Sequence, residues 1–286
     1  MENGERIGII GGTGLYALDG IVTEGTVEPV TPCGSVSSPI VLASLDGVKL
    51  AFLARHGTGH VHSPSEVPYA ANIYALKALG VRRIISVSAV GSLKSKIAPR
   101  DMVVPDQLWD RTKGIRRSTF FGGGIVAHVS FGEPYCPCMR EILAASAVEA
   151  GANVHPKGDY VCIEGPAFST RAESRIYRAM GCDIIGMTAI PEAKLAREAN
   201  MCYSTLALVT DYDAWHESEE EVTVEMVVAN MNANTALAGR VVAIAARAAA
   251  SRKFTCGCRA ASTNAVMTAP DRRDPERMEE LKVVLS

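Results

Sequence analysis

The stretch from Leu206 to His216, which reads LALVTDYDAWH, restricts the fold of this chain more than any other. Its unbroken apolar run is typical of a strand that is buried on both faces of a sheet. The run ends in two carboxylates, Asp211 and Asp213, with no basic residue beside either. In open α/β sheets the carboxyl ends of the strands form the ligand crevice, so the pair is a candidate for ligand binding or proton transfer. The structural alternative is a turn, in which Asp bonds its own backbone.

The order of predicted elements favours a single-domain α/β fold, a mixed β-sheet surrounded by helices. Apolar runs alternate with helical patterns as far as residue 253, without a linker or an internal repeat. We therefore expect one domain over residues 1–253 and a C-terminal extension over residues 254–286, with a Cys-x-Cys pair and a short helix. With 286 residues, 48% of them hydrophobic, the chain is long enough to bury a substantial core.

Charge and segment composition exclude some classes of partner. A formal net charge of −2 gives no general attraction to nucleic acid or to an anionic membrane. The first residues lack the pattern of a signal peptide, and no apolar run is long enough for a transmembrane helix. These features predict a cytoplasmic protein that binds neither nucleic acid nor membrane, and that holds any phosphate at a local site.

Several local patterns predict further elements. Strands over Ile40–Leu45 and Val48–Leu53, joined by Asp46-Gly47, have the signature of a hairpin with a type I′ turn. Helical spacing predicts a helix over Ser65–Leu79 that ends before a glycine. The segment Arg111–Gly124 is basic and rich in glycine, which favours an exposed, irregular loop.

Groups that suit an oxyanion follow several predicted strands. The first strand leads into Gly11-Gly12-Thr13-Gly14, which suits an anion but matches neither common phosphate-binding motif, so a plain tight turn remains the alternative. A later strand leads into Arg55 and His56, which can bind phosphate and donate to an oxyanion. A predicted small-residue turn over Ser88–Ser92 and the residue Thr188 follow two other strands. Together these groups predict one anion site.

Histidines and cysteines offer weaker metal candidates. His56, His60 and His62 lack interleaved carboxylates or cysteines, so no metal site is predicted there. Cys-x-Cys pairs occur at Cys136 with Cys138 and at Cys256 with Cys258. Metal binding by these pairs is one interpretation, but a single intervening residue is shorter than the usual zinc spacing. Intracellular disulfides, as in proteins of hyperthermophiles, are the interpretation we favour, with Cys202 a further candidate partner.

Phe168 and a stripe of valines are the last patterns that bear on the fold and the site. Phe168 precedes a helix that is predicted to start at Ser169-Thr170, where it can stack on a flat ligand or act as a hydrophobic staple. After an acidic run over Glu217–Glu221, valines at 222, 224, 227 and 228 form an apolar stripe that predicts mostly core packing.

Seven short motifs occur in order along the chain. They are Gly11-Gly12-Thr13-Gly14, Arg55-His56-Gly57 with His60, Tyr69-Ala70-Ala71-Asn72-Ile73, Ala89-Val90-Gly91-Ser92-Leu93, Glu164-Gly165-Pro166, Gly186-Met187-Thr188 with Pro191-Glu192, and Thr210-Asp211-Tyr212-Asp213. The ordered set resembles the trimeric purine nucleoside phosphorylases, and within them the branch that acts on 5′-methylthioadenosine. The similarity runs from about Ile7 to Arg252 and implies a nucleoside phosphorylase-like fold.

The resemblance implies a role for each matching residue. The phosphate site would comprise Thr13, Arg55, His56, Ser88, Ala89 and Thr188. Met187 would pack beneath the ribose, Phe168 and Ser169 would flank the purine, and Asp211 and Asp213 would face its N7 and 6-amino edge. Val224 and Val228 would surround the 5′-methylthio group, and His128 would come from a neighbouring subunit. The resemblance thus implies a homo-oligomer, a trimer or a dimer of trimers.

The implied reaction is phosphorolysis of 5′-methylthioadenosine to adenine and 5-methylthioribose 1-phosphate. Inorganic phosphate is the co-substrate, and no cofactor is expected. Asp211 would donate a proton to N7 as general acid, which requires a raised pKa, and His56 would assist at the phosphate. An Asp at position 211 suits the amino group of adenine better than the oxygen of a 6-oxopurine.

Departures from the family pattern leave other functions open. Ala167 stands where methylthioadenosine enzymes commonly carry Arg, and Val90 replaces a frequent Cys. A broad-specificity purine nucleoside phosphorylase that also uses adenosine and 6-oxopurine nucleosides is therefore the main alternative. A hydrolytic nucleosidase and a non-catalytic nucleotide-binding domain are the others. The tail with Cys256 and Cys258 resembles that of relatives from hot environments, where paired cysteines form disulfides.

Overall fold

An eleven-stranded mixed sheet forms the centre of the computed structural model, which describes residues 5–12, 20–216 and 223–286. The strands are β1 (Arg6–Gly11), β2 (Ile21–Val27), β3 (Ile40–Leu45), β4 (Val48–Ala54), β5 (Val81–Ser92), β6 (Met102–Val103), β7 (Gln107–Arg111), β8 (Val154–His155), β9 (Asp159–Ile163), β10 (Ile184–Gly186) and β11 (Cys202–Asp211). The α-helices are α1 (Tyr69–Ala78), α2 (Pro137–Glu149), α3 (Arg171–Ala179), α4 (Ala189–Glu198), α5 (Val224–Ser251) and α6 (Pro275–Leu285). This architecture confirms the predicted single-domain α/β fold with a mixed sheet.

Strand β5 connects the two halves of the sheet. Along one edge it pairs in parallel with β11 from Arg83 to Gly91. Along the opposite edge it pairs in parallel with β1 as far as Ser86, and then antiparallel with β10 from Gly91 onward. No strand of the described chain pairs with residues 87–90 on that second edge. This gap in the sheet is where a ligand can reach backbone groups of a central strand.

Two apolar layers cover the faces of the sheet. One layer packs α2 and α5 against β1, β5 and β11, with Ile9, Leu206 and Val242 among its buried side chains. The other packs α1, α4 and α6 against the opposite face, around residues such as Ile10 and Ile73. All ten residues of β11 are buried, as the apolar run before Asp211 predicts.

Local chemistry explains the elements that were predicted correctly. Asp46 and Gly47 both have positive φ, 50° and 80°, as a type I′ hairpin turn requires. Helix α3 follows Thr170, whose side chain accepts from the backbone N–H of Glu173 in a capping box. Asp274 caps α6 in the same way, by accepting from the N–H of Arg277.

Three predictions of local structure are wrong. Helix α1 begins at Tyr69 and not at Ser65, because Pro68 occupies its N-cap. The predicted turn over Ser88–Ser92 is part of β5, because β11 and β10 supply hydrogen-bonding partners on both sides of its last residues. The loop Arg111–Gly124 is not wholly exposed, because it carries a buried Arg116 that pairs with Glu164.

The C-terminal segment packs against the rest of the molecule. Leu281 and Val284 of α6 enter the core beside α1, and Lys77 of α1 donates to the carbonyl oxygens of Ala199 and Ser286, each at 2.7 Å. The proposed boundary at residue 253 stays a prediction. Among the described helices, none combines the length and the apolar character that crossing a bilayer requires.

Candidate active site

A cavity of about 420 Å³ opens at the gap between β1 and β10. Most of the side chains that the sequence singles out line this cavity, although they come from six separate segments. They are Arg55, His56, Ser88, Ala89, Phe168, Ser169, Met187, Thr188, Asp211, Asp213 and Val228. The carboxyl ends of β4, β5, β10 and β11 bring them together, as expected for an α/β sheet.

Three predicted residues are not among those that line the cavity. Thr13 lies outside the described residues, as do the rest of its turn after Gly12 and the acidic run over Glu217–Glu221. His128 is exposed, and its backbone N–H donates to the carbonyl of Ala265 at 3.0 Å. Val224 is 63% exposed at the first turn of α5.

Arg55 is fixed on one wall of the cavity by Glu192, at the start of α4. The guanidinium donates to both carboxylate oxygens, with Nε to Oε2 at 2.8 Å and Nη2 to Oε1 at 3.0 Å. It also donates to the hydroxyl of Ser86 at 2.7 Å and to the carbonyl of Val87 at 3.0 Å. Since arginine has five N–H donors, these bonds within the described chain leave one Nη1 hydrogen for a ligand.

Glu192 receives further hydrogen bonds that lock this wall. Ser86 Oγ donates to Glu192 Oε1 at 2.8 Å, and the hydroxyl of Tyr203 donates to the same oxygen at 2.9 Å. Both Arg55 and Glu192 are almost fully buried, at 3% and 2% exposure. Burial alone favours the neutral guanidinium, but the charge and hydrogen bonds of Glu192 raise the pKa of Arg55 above its ordinary value. The wall therefore keeps a permanent cation in a rigid position.

His56, the next residue, is held as a neutral ring. Its Nδ1 lies 2.8 Å from the carbonyl oxygen of His62, so Nδ1 carries the hydrogen and Nε2 is an acceptor. Burial and the positive charge of Arg55 lower the pKa of His56 to about 4, against the opposing effect of that hydrogen bond. The ring of His60 stacks on it with centroids 4.2 Å apart. In this tautomer the only N–H of His56 is already engaged, so the expectation that His56 donates to an oxyanion stays a prediction.

Hydroxyl and amide groups complete this wall. Ser88 and Ala89 lie in the part of β5 that has no strand on one edge, so an anion can approach the backbone there. Thr188 is the N-cap residue of α4, but its side chain accepts no hydrogen bond from a helix N–H. Its hydroxyl is therefore not used as a helix cap, and the residue lines the cavity. These groups, with Arg55 and His56, form what we call the anion wall.

A second wall of the cavity carries the two carboxylates. Asp211 ends β11, where its Oδ1 accepts from the backbone N–H of Asp213 at 2.8 Å and its Oδ2 accepts from the hydroxyl of Thr210 at 2.6 Å. A side chain at Gly91 would place its Cβ 2.8 Å from Asp211 Oδ1, so only glycine fits at this point of β5. Asp211 is thus oriented by its neighbours in the sheet.

The side chain of Asp213 is hydrogen-bonded less completely than that of Asp211. It is 8% exposed, and its Oδ2 is buried without a hydrogen-bonding partner in the described chain. Burial first, and then the charge of Asp211, raise the pKa of Asp213 to about 6, against the opposing effect of the nearby hydroxyls of Ser174 and Ser169. Those hydroxyls also make no hydrogen bond of acceptable geometry. Asp213 Oδ2 is therefore available to accept a hydrogen bond from a ligand.

The space between these walls, which we call the slot, is bordered by Phe168 and Met187. Phe168 is 44% exposed beside the cavity, so one of its surfaces is free to stack on a ring. Met187 packs on Gly165, where a Cβ would lie 2.5 Å from its sulfur, which fixes the Met187 side chain. We call the carboxylates, Phe168 and Ser169 the purine wall, after the role that the resemblance implies for them.

A family model and whole-chain comparisons agree with this geometry. The model of the phosphorylase superfamily matches residues 6–247. The chain belongs to the phosphorylase superfamily. It is 52% identical over 265 residues to the S-methyl-5′-thioadenosine phosphorylase of Chloroflexus aurantiacus, covering 93% of this chain and 92% of that one. With the corresponding protein of Geobacter sulfurreducens it shares 49% identity over 279 residues, covering 98% and 97% of the two chains.

Solved structures of the superfamily have the same fold. A methylthioadenosine phosphorylase from an Antarctic soil metagenomic library superposes with a TM-score of 0.93 at 50% identity, and 100% of both chains is covered. A methylthioadenosine phosphorylase from Schistosoma mansoni in complex with adenine has a TM-score of 0.86 at 36% identity, covering 93% of this chain and 99% of that one. The mixed sheet described above is therefore the superfamily fold.

Sequence reasoning missed two sets of residues that shape this phosphorylase-superfamily site. Glu192 was noted only as part of a motif, yet it orients Arg55. Arg116 was placed in an exposed loop, yet it pairs with Glu164 at 2.9 Å and donates to the carbonyls of Met187 and Ile190 at 2.6 and 2.7 Å. No local signal marks either pair, because the partners are 137 and 48 positions apart in the chain.

The apolar end of the cavity was predicted only in part. Val227, Val228 and Met231 line it from α5. Val224, which the resemblance assigned to this end of the cavity, lies one turn closer to the start of the same helix. The prediction that the valine stripe is mostly core is wrong at this end of α5, where Val224 and Val228 are 63% and 49% exposed.

Proposed function

We propose that this protein catalyses phosphorolysis of 5′-methylthioadenosine, which yields adenine and 5-methylthioribose 1-phosphate. One observation carries the proposal: a single cavity joins a wall suited to an oxyanion to a wall with buried carboxylates and an aromatic ring. A ribose between them would have its C1′ between phosphate and base. The names of the relatives at about 50% identity support the same substrate.

Phosphate would bind at the anion wall. The hydroxyls of Ser88 and Thr188, the backbone at Ala89 and the remaining Nη1 hydrogen of Arg55 are the donors available there. Thr13 would add a hydroxyl from the first turn. Because Arg55 is held by Glu192, it would act mainly as a fixed positive charge, which stabilises bound phosphate without rearrangement.

His56 would accept a hydrogen bond from the proton that phosphate carries. Its Nε2 is a lone-pair acceptor, and hydrogen phosphate has one O–H at neutral pH. A hydrogen bond from that O–H to Nε2 would leave the other phosphate oxygens to accept from Ser88 and Thr188. One of them would then attack C1′ of the ribose.

The purine wall would hold adenine and protonate it. As the bond between C1′ and N9 breaks, the base gains the bonding electron pair and needs a proton at N7. Asp211 would deliver that proton as general acid, and Asp213 would accept from the 6-amino group through its unpartnered Oδ2. Because the pKa of Asp213 is raised to about 6, this carboxylate pair would take up a proton at mildly acidic pH, well above the range of an ordinary aspartate. The new bond from phosphate to C1′ completes 5-methylthioribose 1-phosphate.

The 5′ substituent would lie against α5. Val227, Val228 and Met231 present apolar surface, which suits a methylthio group better than a hydroxyl. Val224 and His128 would join the site from the margin and from a neighbouring subunit, in a trimer or a dimer of trimers. We also propose a cytoplasmic location, where nucleoside and phosphate are available.

A broad-specificity phosphorylase remains the second candidate because of one feature of the purine wall. Ala167 is exposed, and Phe168 beside it is half-exposed, so no bulky cation closes the slot at this point. Such a slot can admit adenosine or a 6-oxopurine nucleoside. Comparison of kcat/KM for methylthioadenosine, adenosine and inosine separates the two candidates.

The decisive experiment measures adenine release from methylthioadenosine with and without inorganic phosphate, with phosphorus NMR of the products. We expect release only with phosphate, together with one new sugar 1-phosphate signal for each adenine. Release at the same rate without phosphate would identify a hydrolase and contradict the proposal.

A further inference from the structure

Four cysteines converge far from the cavity. The sulfur atoms of Cys136, Cys202, Cys256 and Cys258 all lie within 4.8 Å of one another. They come from three segments: the N-cap of α2, the first residue of β11, and the turn at residues 256–260 in the C-terminal extension. Three of the four are buried, and the fourth, Cys256, is partly exposed. We call them the four-cysteine cluster.

The sulfur separations in the cluster suit a single tetrahedral ion. Cys256 Sγ lies 3.5 Å from the sulfurs of both Cys136 and Cys202. Tetrahedral zinc with Zn–S bonds of about 2.3 Å requires sulfurs about 3.8 Å apart. All eight cysteines are free, so the expected disulfides are not present in this structure. The short Cys-x-Cys spacing, which argues against zinc in the sequence, matters less because the other two ligands come from distant segments.

We propose that the four-cysteine cluster is a structural Zn²⁺ site with four thiolate ligands. Binding would release the four thiol protons and form four Zn–S bonds, with no change of oxidation state. The complex would carry a net charge of −2. Four ligands saturate the tetrahedron, which is typical of structural and not of catalytic zinc.

A positively charged neighbour fits such a complex. Arg83 is the register partner of Cys202 across β5 and β11, it is 5% exposed, and it interacts electrostatically with Cys202 and Cys256. Its Nη1 donates to the carbonyl of Ala249 at 2.7 Å, whereas its buried Nε has no hydrogen-bonding partner in the described chain. A cation with an unused donor beside thiolates is a common outer-shell arrangement.

The position of the four-cysteine cluster indicates a structural role for the ion. It joins the C-terminal extension, through Cys256 and Cys258, to the beginning of β11, while Asp211 stands at the other end of that strand. Ten residues of strand separate the two ends by about 30 Å. The ion would thus hold the extension against the core and stabilise the base of the strand that carries the purine wall. It would take no part in the reaction.

The metal content of the purified full-length protein tests the site. We expect about one zinc per chain by mass spectrometry and a shell of four sulfurs at about 2.3 Å by X-ray absorption at the zinc edge. Replacement of zinc by Co²⁺ should give the visible spectrum of a tetrahedral thiolate complex. Less than about a tenth of an equivalent of zinc in protein produced with zinc present, or one equivalent of iron instead, would overturn the proposal.

Two matched cysteine variants sharpen the test. Cys256→Ala should abolish zinc binding and lower Tm, with kcat at low temperature unchanged. Cys138→Ala, two residues from Cys136 but outside the cluster, should keep a full equivalent of zinc. If Cys256→Ala does not fold, the thiols of the parent decide: in denaturant that exposes Cys138, Cys162 and Cys182 to alkylation, the four cluster thiols should stay protected until a chelator is added. Alkylation of all eight in the folded protein, or a mass that reveals disulfides within the cluster, would contradict the site.

Discussion

The two walls of the cavity differ in how far the protein satisfies its own polar groups. On the anion wall, Arg55 is engaged by Glu192, Ser86 and Val87, and His56 by the carbonyl of His62. On the purine wall, by contrast, Asp213 Oδ2 and the hydroxyl of Ser169 have no partner in the described chain. The first wall is therefore preorganised before any ligand binds, whereas the second has buried groups without a hydrogen-bonding partner in the described chain, which a ligand can supply.

This difference indicates how each wall contributes to the free energy of ligand binding. A buried acceptor without a partner costs about 1–3 kcal/mol, which a matching donor on the ligand recovers. A base with an amino group would recover that energy at Asp213. The anion wall instead presents a fixed charge whose desolvation is already compensated by Glu192. In the proposed reaction, selectivity for the base and stabilisation of the reacting phosphate would thus be separate properties of the two walls.

Asp211→Asn should have the largest effect, because it removes the proton donor of the purine wall. We expect kcat for methylthioadenosine to fall by about 10²–10⁴-fold, and the ratio of inosine to methylthioadenosine turnover to rise. Steady-state kinetics on both nucleosides measure this. Asp46→Asn, a matched change in the hairpin turn, should leave both rates unchanged. An unaltered substrate preference in the Asp211 variant would remove the distinction between the walls.

Glu192→Gln should disrupt the anion wall by leaving the Arg55 charge buried without a counter-ion. We expect the free energy of unfolding to fall by about 3–5 kcal/mol. Phosphate should restore part of this loss, because it would take the place of the carboxylate. Glu141→Gln, which breaks an exposed pair with Arg252, should leave the free energy of unfolding almost unchanged. Urea denaturation with and without phosphate checks all three values, and equal losses for both variants would contradict a preorganised wall.

Asp213→Asn should make stability less dependent on pH. Since the pKa of Asp213 is raised to about 6 from an ordinary 3.8, the folded state holds the proton more tightly than the unfolded state. The contribution is therefore fully present below pH 4, falls as the pH rises to 6, and is lost above it. We expect the parent to lose about 2–3 kcal/mol relative to the variant over that range.

The variant is a fair comparison because Asn tolerates the φ of +50° at this position. Urea denaturation of both proteins at intervals between pH 4 and pH 8 measures the difference. If the free energy of unfolding depended on pH in the same way for parent and variant, the pKa of Asp213 would not be raised in the folded protein.

Sulfate should bind the anion wall more weakly than phosphate, which is the smallest of the expected effects. Neutral His56 offers only a lone pair, and sulfate has no proton to donate to it. We expect a Kd for sulfate roughly tenfold or more above that for phosphate. Arsenate, which carries a proton like phosphate, is the matched control and should bind like it. Calorimetric titration measures the three anions, and equal affinities for sulfate and phosphate would show that His56 donates.

Local chemistry made much of the fold predictable. The Asp46-Gly47 turn, the Thr170 cap and the buried run of β11 each follow from a few neighbouring residues, and the structure agrees with them. Ser88 and Ala89 were assigned to the site, but they were predicted to lie in a turn because small residues at a strand end favour turns. In the structure they belong to β5, since pairing with β10 and β11 extends that strand.

Contacts between distant segments were not predictable. The tautomer of His56 depends on a carbonyl six residues away in a loop, and the engagement of Arg55 depends on a residue of α4. The four-cysteine cluster likewise exists only because α2, β11 and the C-terminal extension meet. No short-range pattern encodes such pairs, so the sequence indicated the groups of the site but not their partners.

A crystal structure of the protein with adenine and phosphate bound together tests the central claim most directly. We expect phosphate oxygens within about 3 Å of Ser88 Oγ, Thr188 Oγ1 and His56 Nε2, and the adenine amino group within about 3 Å of Asp213 Oδ2. Phosphate at the carboxylates, or adenine outside the cavity between Phe168 and Asp211, would contradict the assignment of the two walls.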